Sequence, residues 1–298
     1  MAISILYWGI TLLGSDFYPR VWIDEGWIAE PGYTLATAGE FGNPSHGSIY
    51  RFDDRLYWNS PLKFLLLGGV YKLGLPAFAG GRYLSMFLGF GTVLLLCHGA
   101  MLLLSGNRSR RPGDSDGKSP QLEGGNSSRL GGGDLSRSDI ANPKLWLGAL
   151  LLWLALCITT DPTLWKSHRT IRFESLTAFC FALTWVSWLA VPWKWRGLAM
   201  GLGAGLAFLS HPAGALASGV TGFLFLTDPK PLATRLHQLG LAALTVVLCI
   251  LPWALYLLGD READFVNFLG QNAPHLDGRD HGLLEQMALE RQRYLAYF

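Results

Sequence analysis

The chain has 298 residues, of which 50% are hydrophobic and only 15% are charged, and its mean hydropathy is +0.26. Soluble domains usually carry about 25% charged residues, so this composition argues against an ordinary cytosolic enzyme and favours an all-α integral membrane protein. The formal net charge is only +2, which predicts no nucleic-acid partner. The four cysteines lie inside apolar runs without a CxxC pair, a pattern typical of small buried side chains rather than of disulfides or metal sites.

Apolar runs recur along the chain and predict a bundle of about seven transmembrane helices. A span needs about 20 apolar residues, with about 17 as a lower limit. The predicted spans are 1–14, 83–105, 145–160, 175–193, two helices within 197–227, and 238–259. The run 197–227 is too long for one span, so we divide it at Ser210-His211-Pro212. The first run has the alternative of a signal peptide, but it lacks a charged start and a cleavage site, which favours an uncleaved span.

Clusters of lysine and arginine predict the orientation in a plasma membrane, because such residues favour cytoplasmic loops. They form three groups: the segment 105–144, the turn with Lys194 and Arg196, and the turn with Lys230 and Arg235. Placing all three groups inside puts residues 15–81 outside. Within this outer loop, the segment 61–75 contains two lysines and two adjacent glycines, so we interpret it as a juxtamembrane helix at the outer interface.

Four regions follow from this topology. They are residues 1–104, with the first span, the outer loop and the second span; residues 105–144, a cytoplasmic loop; residues 145–259, with the remaining spans; and residues 260–298, an outer amphipathic tail. The loop 105–144 holds eight glycines, eight serines and no aromatic residue. It cannot bury enough apolar surface to offset its ordering entropy, and we expect it to be disordered.

The first candidate site is Asp24-Glu25, directly after the first span. Two adjacent carboxylates beside a membrane are costly unless they are solvated, paired or bound to a cation. A catalytic base with a neighbour that binds a hard divalent ion is one interpretation. Capping of the following helix by a solvated acidic pair is the alternative, and spacing alone favours it.

The second candidate lies between the third and fourth spans, at Arg169, Arg172 and Glu174. The two arginines are three residues apart, so on a helix they would share a face and would be able to hold a lipid phosphate. The alternative is that the arginines snorkel to the interface and that one Arg–Glu pair forms. Without further context the two interpretations are equal.

The third candidate is the segment 57–63, which reads Tyr-Trp-Asn-Ser-Pro-Leu-Lys. Its aromatic residues are typical of a membrane interface. Lys63 is placed either to contact a phosphate or to snorkel, and in isolation the second interpretation is favoured.

The order of these clusters resembles that of a known enzyme family. Asp24-Glu25 after the first span is followed by Ala-Thr-Ala-Gly-Glu-Phe at 36–41, Asn-Ser-Pro-Leu at 59–62, Gly-Gly-Arg-Tyr-Leu-Ser-Met-Phe at 80–87, Arg-x-x-Arg-x-Glu at 169–174, and Gly-Leu-Ala-Phe-Leu-Ser-His-Pro at 205–212. The chain outside 105–144 resembles the GT-C membrane glycosyltransferases, in the branch of the dolichyl-phosphate-mannose protein mannosyltransferases and lipid A aminoarabinose transferases.

The resemblance implies a GT-C-like bundle that moves a sugar from a polyprenyl-phosphate carrier to a hydroxyl acceptor on the outer face. It implies that Asp24 is the catalytic base and that Glu25 is its acidic neighbour in the catalytic pair. Glu174 would lie near the acceptor or, together with Asp24, near a divalent cation such as Mg²⁺ or Mn²⁺. The residues expected at the carrier phosphate are Arg169, Arg172 and Lys63.

The sequence also departs from this family. Members often carry two prolines where Ser60-Pro61 stands, and the aminoarabinose branch has a lysine at the position of Asn59, so this loop lacks the family's cationic side chain at that position. Members usually continue beyond the position of Phe298 with further helices, so a short form, a split partner or a fragment is expected. The alternatives to a transferase are an inactive truncated homologue or membrane scaffold and, less favoured, a transporter, since His98 and His211 are the ionisable residues at mid-span.

Overall fold

The computed structural model describes residues 2–12, 23–44, 60–104, 143–160 and 168–259, with the backbone alone at 23, 24 and 143–145. Within these ranges the chain is all-helical, as its composition predicts. The helices are α1 (Ala2–Leu12), α2 (Ile23–Thr37), α3 (Leu62–Lys72), α4 (Ala77–Leu104), α5 (Pro143–Thr160), α6 (Glu174–Ala190), α7 (Trp193–Ser210), α8 (Ala215–Thr227) and α9 (Leu232–Leu258), with a 3₁₀ turn at Pro212–Gly214. The predicted disordered loop up to residue 142, the residues 57–59 and the predicted tail 260–298 lie outside the described residues.

The predicted break in the run 197–227 is confirmed. The helix α7 ends at Ser210, His211 is extended with φ −165° and ψ 144°, and Pro212 opens the 3₁₀ turn that leads into α8. Proline cannot continue a helix because it lacks the backbone N–H and disfavours helical backbone in the residue before it. The two helices therefore meet at a corner instead of forming one long rod.

Among the described helices, α4 and α9 are long and apolar enough to cross a membrane. Their best windows have mean hydropathies of 2.1 and 2.4. Four shorter apolar helices of 10–17 residues also lie in the described chain: Ala2–Leu12, Trp146–Thr160, Glu174–Ala190 and Pro212–Thr227. The seven-span bundle therefore stays a prediction.

The helices pack in an order that brings distant segments together. The long helix α4 packs against α5 and α6, α6 packs against α7, and α7 contacts both α8 and α9. The short helices α2 and α3 pack on each other and on the first part of α4. A buried apolar cluster joins α2, α3 and the segment before α6, and its members include Ile28, Phe64, Leu67, Ile171 and Phe173.

A row of glycines lets α7 and α9 approach closely. A Cβ atom on Gly197 would lie 2.4 Å from the carbonyl oxygen of Gln238, and one on Gly201 would lie 2.5 Å from the carbonyl oxygen of Ala242. The next glycine of the row, Gly205, faces α9 in the same way. Since these residues are four apart, they lie on one helix face. This interface thus depends on the absence of side chains at these positions.

Candidate functional site

The residues that the sequence singled out lie at one end of the helix bundle. Three of the helices involved, α2, α4 and α6, begin there, and α7 ends there. The residues 168–173 pack between these helix ends and bury Ile171 completely. The fold therefore assembles residues that are up to about 150 positions apart in the chain.

Glu25 lies fully buried and is bound to Arg82 of α4. The Nε of Arg82 donates to Oε2 of Glu25 at 3.0 Å, and its Nη2 donates to Oε1 at 3.0 Å. The backbone N–H of Ile171 points to the same Oε2 at 3.5 Å. Such a bidentate pair is geometrically specific, so this carboxylate fixes α2 against α4 and against the loop before α6.

Asp24, the predicted base, lies in the first turn of α2, and its side chain is outside the described part of the structure. Trp27 and Ile28 follow it by three and four residues, so these positions share one face of α2. Both Trp27 and Ile28 line a cavity at this end of the molecule. The backbone thus places Asp24 on the helix face that borders this cavity.

The two predicted phosphate-binding arginines do not share a helix face. Residues 170–173 are not helical, and as a result Arg169 is buried, with 1% of its surface exposed, whereas 42% of the Arg172 side chain is exposed. Arg172 lines the cavity. The expectation of a shared face was wrong because the chain leaves the helical conformation between the two arginines.

Arg172 forms an ion pair with Glu174, as one interpretation of the sequence expected. The Nη2 of Arg172 lies 2.9 Å from Oε1 of Glu174, and its Nε donates to Oε2 at 3.2 Å. Half of the Glu174 side chain is exposed, so water screens this pair. The pair occupies the rim of the cavity, where an incoming anion is able to compete with Glu174 for the guanidinium.

Lys63 is fully buried and is not part of the cavity wall. Its Nζ donates to the hydroxyl of Ser85 at 2.9 Å, and this hydroxyl in turn donates to the carbonyl of Gly81. Burial lowers the pKa of Lys63 to about 7, against a smaller opposing effect of the Glu174 charge. The structure thus places Lys63 behind the site, between α3 and α4, with a charge that titrates near neutral pH.

His168 belongs to the same buried layer, although no sequence pattern singles it out. Its Nδ1 lies 3.4 Å from the hydroxyl of Tyr7, which donates to the carbonyl of Met86. Burial and, to a lesser extent, the Lys63 charge lower the pKa of His168 to about 4. Because a Cβ on Gly89 would meet both His168 and Tyr7 at 2.4 Å, this contact needs glycine on α4.

The cavity has a volume of about 570 Å³ and combines an apolar wall with a few polar groups. The apolar side is formed by Trp27, Ile28, Phe173, Ala178, Phe181 and Ala213, and the polar side by Arg172, Glu174, Thr177 and His211. Ligand pockets of proteins typically have volumes of about 300–1,000 Å³ and this mixed character. Sequence reasoning missed Thr177 and Phe181, which are ordinary residues of an apolar helix until the fold places the cavity beside them.

Side-chain hydrogen bonds hold the corner between α7 and α8 at the cavity. The hydroxyls of Thr177 and Ser210 lie 2.8 Å apart, and Ser60 donates to the carbonyl of Phe208 at 2.9 Å. The Nδ1 of His211 accepts from the backbone N–H of Ala213 at 3.2 Å. His211 is therefore fixed in the cavity wall, with its ring against Phe173 at 5.9 Å.

The residues described so far do not form a metal site. No group of three histidine, cysteine or acidic side chains comes together in the described ranges, and both oxygens of Glu174 are engaged by Arg172. A cation held by Asp24 and Glu174, as the resemblance implies, would require the Arg172–Glu174 pair to open. We therefore derive no chemical step through a metal.

Comparisons with known proteins found no match. No family model, no curated protein and no solved structure matches the chain.

Proposed function

We propose that the chain is a multi-pass plasma-membrane glycosyltransferase that moves a sugar from a polyprenyl-phosphate carrier to a hydroxyl acceptor. The observation that carries the proposal is the cavity of about 570 Å³ that has Arg172 on its rim and borders the first turn of α2. One concave site thus combines an apolar wall, a cation and the helix face to which Asp24 belongs.

The two sides of the cavity suit the two parts of such a donor. Phe173, Ala178 and Phe181 offer apolar surface to an isoprenoid chain or to the face of a sugar ring. Arg172 offers a planar guanidinium, which recognises phosphate through paired hydrogen bonds. Glu174 holds this guanidinium in place before the donor arrives, so the phosphate exchanges one anionic partner of Arg172 for another.

In the proposed reaction, the carboxylate of Asp24 accepts the proton of the acceptor hydroxyl while its oxygen attacks the anomeric carbon. The bond between this carbon and the phosphate oxygen breaks, and the electron pair leaves with the polyprenyl phosphate. A base is needed because a neutral hydroxyl is a weak nucleophile. Arg172 stabilises the negative charge that grows on the leaving phosphate. A single displacement of this kind inverts the anomeric centre.

The structure suggests different roles for the other predicted residues. Glu25 is held on both oxygens by Arg82, so we propose that it is a positioning residue that orients the first turn of α2. Lys63 and Arg169 are buried behind the cavity wall, and we propose that they contribute positive potential to the phosphate rather than direct contacts.

The test is sugar transfer by the full chain in membranes, with a panel of polyprenyl-phosphate sugars as donors. We expect transfer by the wild type, loss of at least a hundredfold in Asp24→Asn, and inversion in the NMR spectrum of the product. Glu40→Gln is the matched control, since Glu40 is an exposed carboxylate just after α2. Equal transfer by wild type and Asp24→Asn would overturn the assignment of the base. A folded wild type that transfers from none of the donors would overturn the activity.

The membrane topology that the proposal needs has its own test. We expect a reporter fused at Asn126 to lie in the cytoplasm and one at Ser48 to lie outside, because the basic segment 105–144 favours the cytoplasmic side. The opposite result would place Asp24 on the cytoplasmic face and would contradict a reaction at the outer surface.

A further inference from the structure

Two basic turns come together at the end of the helices that is opposite to the cavity. The first turn joins α6 to α7, and Lys194 and Arg196 follow it at the start of α7. The second turn joins α8 to α9 and carries Lys230. Arg235 follows in the first turn of α9. This is the side of the molecule that the sequence predicts to be cytoplasmic.

The ring of Trp193 connects the two turns. The guanidinium of Arg196 lies 5.2 Å from the centre of this ring, and Nζ of Lys230 lies 4.8 Å from it. Arg196 also lies 5.0 Å from the ring of Trp188. Both indoles pack edge-on against Phe225 of α8. Cation–π contacts of this kind hold the charged groups near each other without neutralising them.

The positive charges of this cluster are largely uncompensated. Arg196 donates from Nε and Nη2 to the carbonyl of Val191 at 3.1 Å, and Arg235 donates to the carbonyl of Leu226. Neutral carbonyls thus bind the two arginines. Among the described residues of this region, one acidic side chain, Asp228, lies beside the four basic residues. Its carboxylate accepts a hydrogen bond from the backbone N–H of Lys230 at 3.0 Å. The cluster therefore has an excess of positive charge that attracts an anion.

An apolar wall begins directly beside this charge. Leu232 and Leu236 of α9 are 56% and 49% exposed, and the apolar surface continues along the same helix at Leu244, Val247, Leu248, Leu251 and Leu255. Only 6% of the most apolar window of α9 is buried inside the protein. A free phosphate ion would match the charges but not this wall, whereas a lipid matches both.

We propose that Lys194, Arg196, Lys230 and Arg235 form a binding site for the headgroup of an anionic phospholipid, whose acyl chains lie along α9. The basic residues bind the phosphate, and Trp193 and Trp195 lie at the level of the interface, as such rings do in membrane proteins. This site is separate from the cavity and does not depend on the transfer reaction.

The test is native mass spectrometry of the purified full chain in detergent, titrated with phosphatidylglycerol or with phosphatidylcholine of the same chain length. We expect tighter binding of phosphatidylglycerol. In Lys230→Gln we expect its affinity to fall about fivefold, the effect of one basic residue at an anionic surface. Lys72→Gln is the matched control, since Lys72 is an exposed lysine in the last turn of α3.

Lys194→Gln provides a second variant with an exposed side chain, and thermal unfolding of each variant checks that it is folded. Equal affinity for the two lipids would overturn the proposal, and so would an equal loss in Lys72→Gln. Displacement of phosphatidylglycerol by an equal concentration of inorganic phosphate would show that the site binds the anion alone, which would overturn its assignment to a lipid.

Discussion

Glu25 and Arg82, which are 57 residues apart in the chain, form a bidentate ion pair with Nε–Oε2 and Nη2–Oε1 distances of 3.0 Å. The glutamate is fully buried, and only 9% of the arginine side chain is exposed. The charges are therefore removed from water, and each compensates the other. This pair joins the helix that carries the predicted base to the longest of the described helices.

We expect Arg82→Ala to destabilise the fold by about 3–5 kcal/mol, because it leaves the carboxylate of Glu25 buried without its partner. The double variant Glu25→Leu/Arg82→Met removes both charges and is expected to lose less stability than Arg82→Ala. Chemical unfolding in detergent micelles measures both. If the losses of the single variants Glu25→Leu and Arg82→Met add up to the loss of the double variant, the pair does not act as a unit.

Lys63 predicts a pH dependence with a defined sign. Its pKa is about 7 in the folded chain against 10.5 for an ordinary lysine, so the unfolded state binds more protons between these values and stability rises with pH there. The cost of burying the ammonium is complete below pH 7 and disappears towards pH 10.5. We expect Lys63→Met to be more stable than wild type at pH 6 and to lose about 3 kcal/mol of this advantage by pH 9.5. Lys72→Met, at an exposed lysine, is expected to show no such change, and an equal pH dependence of the two variants would contradict the prediction.

The glycine row of α7 predicts opposite effects for two similar substitutions. A Cβ on Gly201 would lie 2.5 Å from a backbone carbonyl of α9, whereas one on Gly222 of α8 would have nothing within 4 Å. We expect Gly201→Ala to destabilise the protein by about 1–3 kcal/mol, since the obstructing atom belongs to the backbone. Gly222→Ala is expected to stabilise it by up to about 1 kcal/mol through helix propensity. The measurement is again unfolding in micelles, and a neutral Gly201→Ala would mean that the two helices separate without cost.

Among the described residues, Arg172 is the arginine that lines the cavity, so replacing it tests the proposed donor site. We expect Arg172→Gln to lower the transfer rate by about 10- to 100-fold, the effect of losing a charged hydrogen bond to the leaving phosphate. Arg172→Lys keeps the charge but not the planar fork, and an intermediate rate is expected. Lys72→Gln serves as the control in the same transfer assay, and an unchanged rate in Arg172→Gln would remove this residue from the site.

The sequence predicted local structure better than it predicted contacts. Apolar runs and Pro212 were sufficient for the helices after residue 143 and for the corner at His211, because these features depend on a few neighbouring residues. The shared face of Arg169 and Arg172 was predicted wrongly, since tertiary packing draws Ile171 into the core and interrupts the helix between them.

The partners of the buried charges were not accessible from the sequence. Arg82 stands in the motif at 80–87, but nothing in the local pattern joins it to Glu25. Lys63 was expected at an interface, and the structure buries it because α3 packs on α4 at this point. The predicted assignment of Asp24 is the part of the site that still depends on the resemblance and on helix periodicity.

The corner at His211 also has a mechanical consequence. A proline break between two helices is usually a point where a chain bends. Here Ser60, Thr177 and His211 tie it to the residues just before α3, to α6 and to the turn itself. That wall of the cavity is therefore rigid. The helix α2 borders the same cavity through Trp27 and Ile28, and the buried Glu25–Arg82 pair ties it to α4. A ligand that is too large for the resting volume would therefore have to break one of these side-chain ties, so the cavity selects its ligands by size.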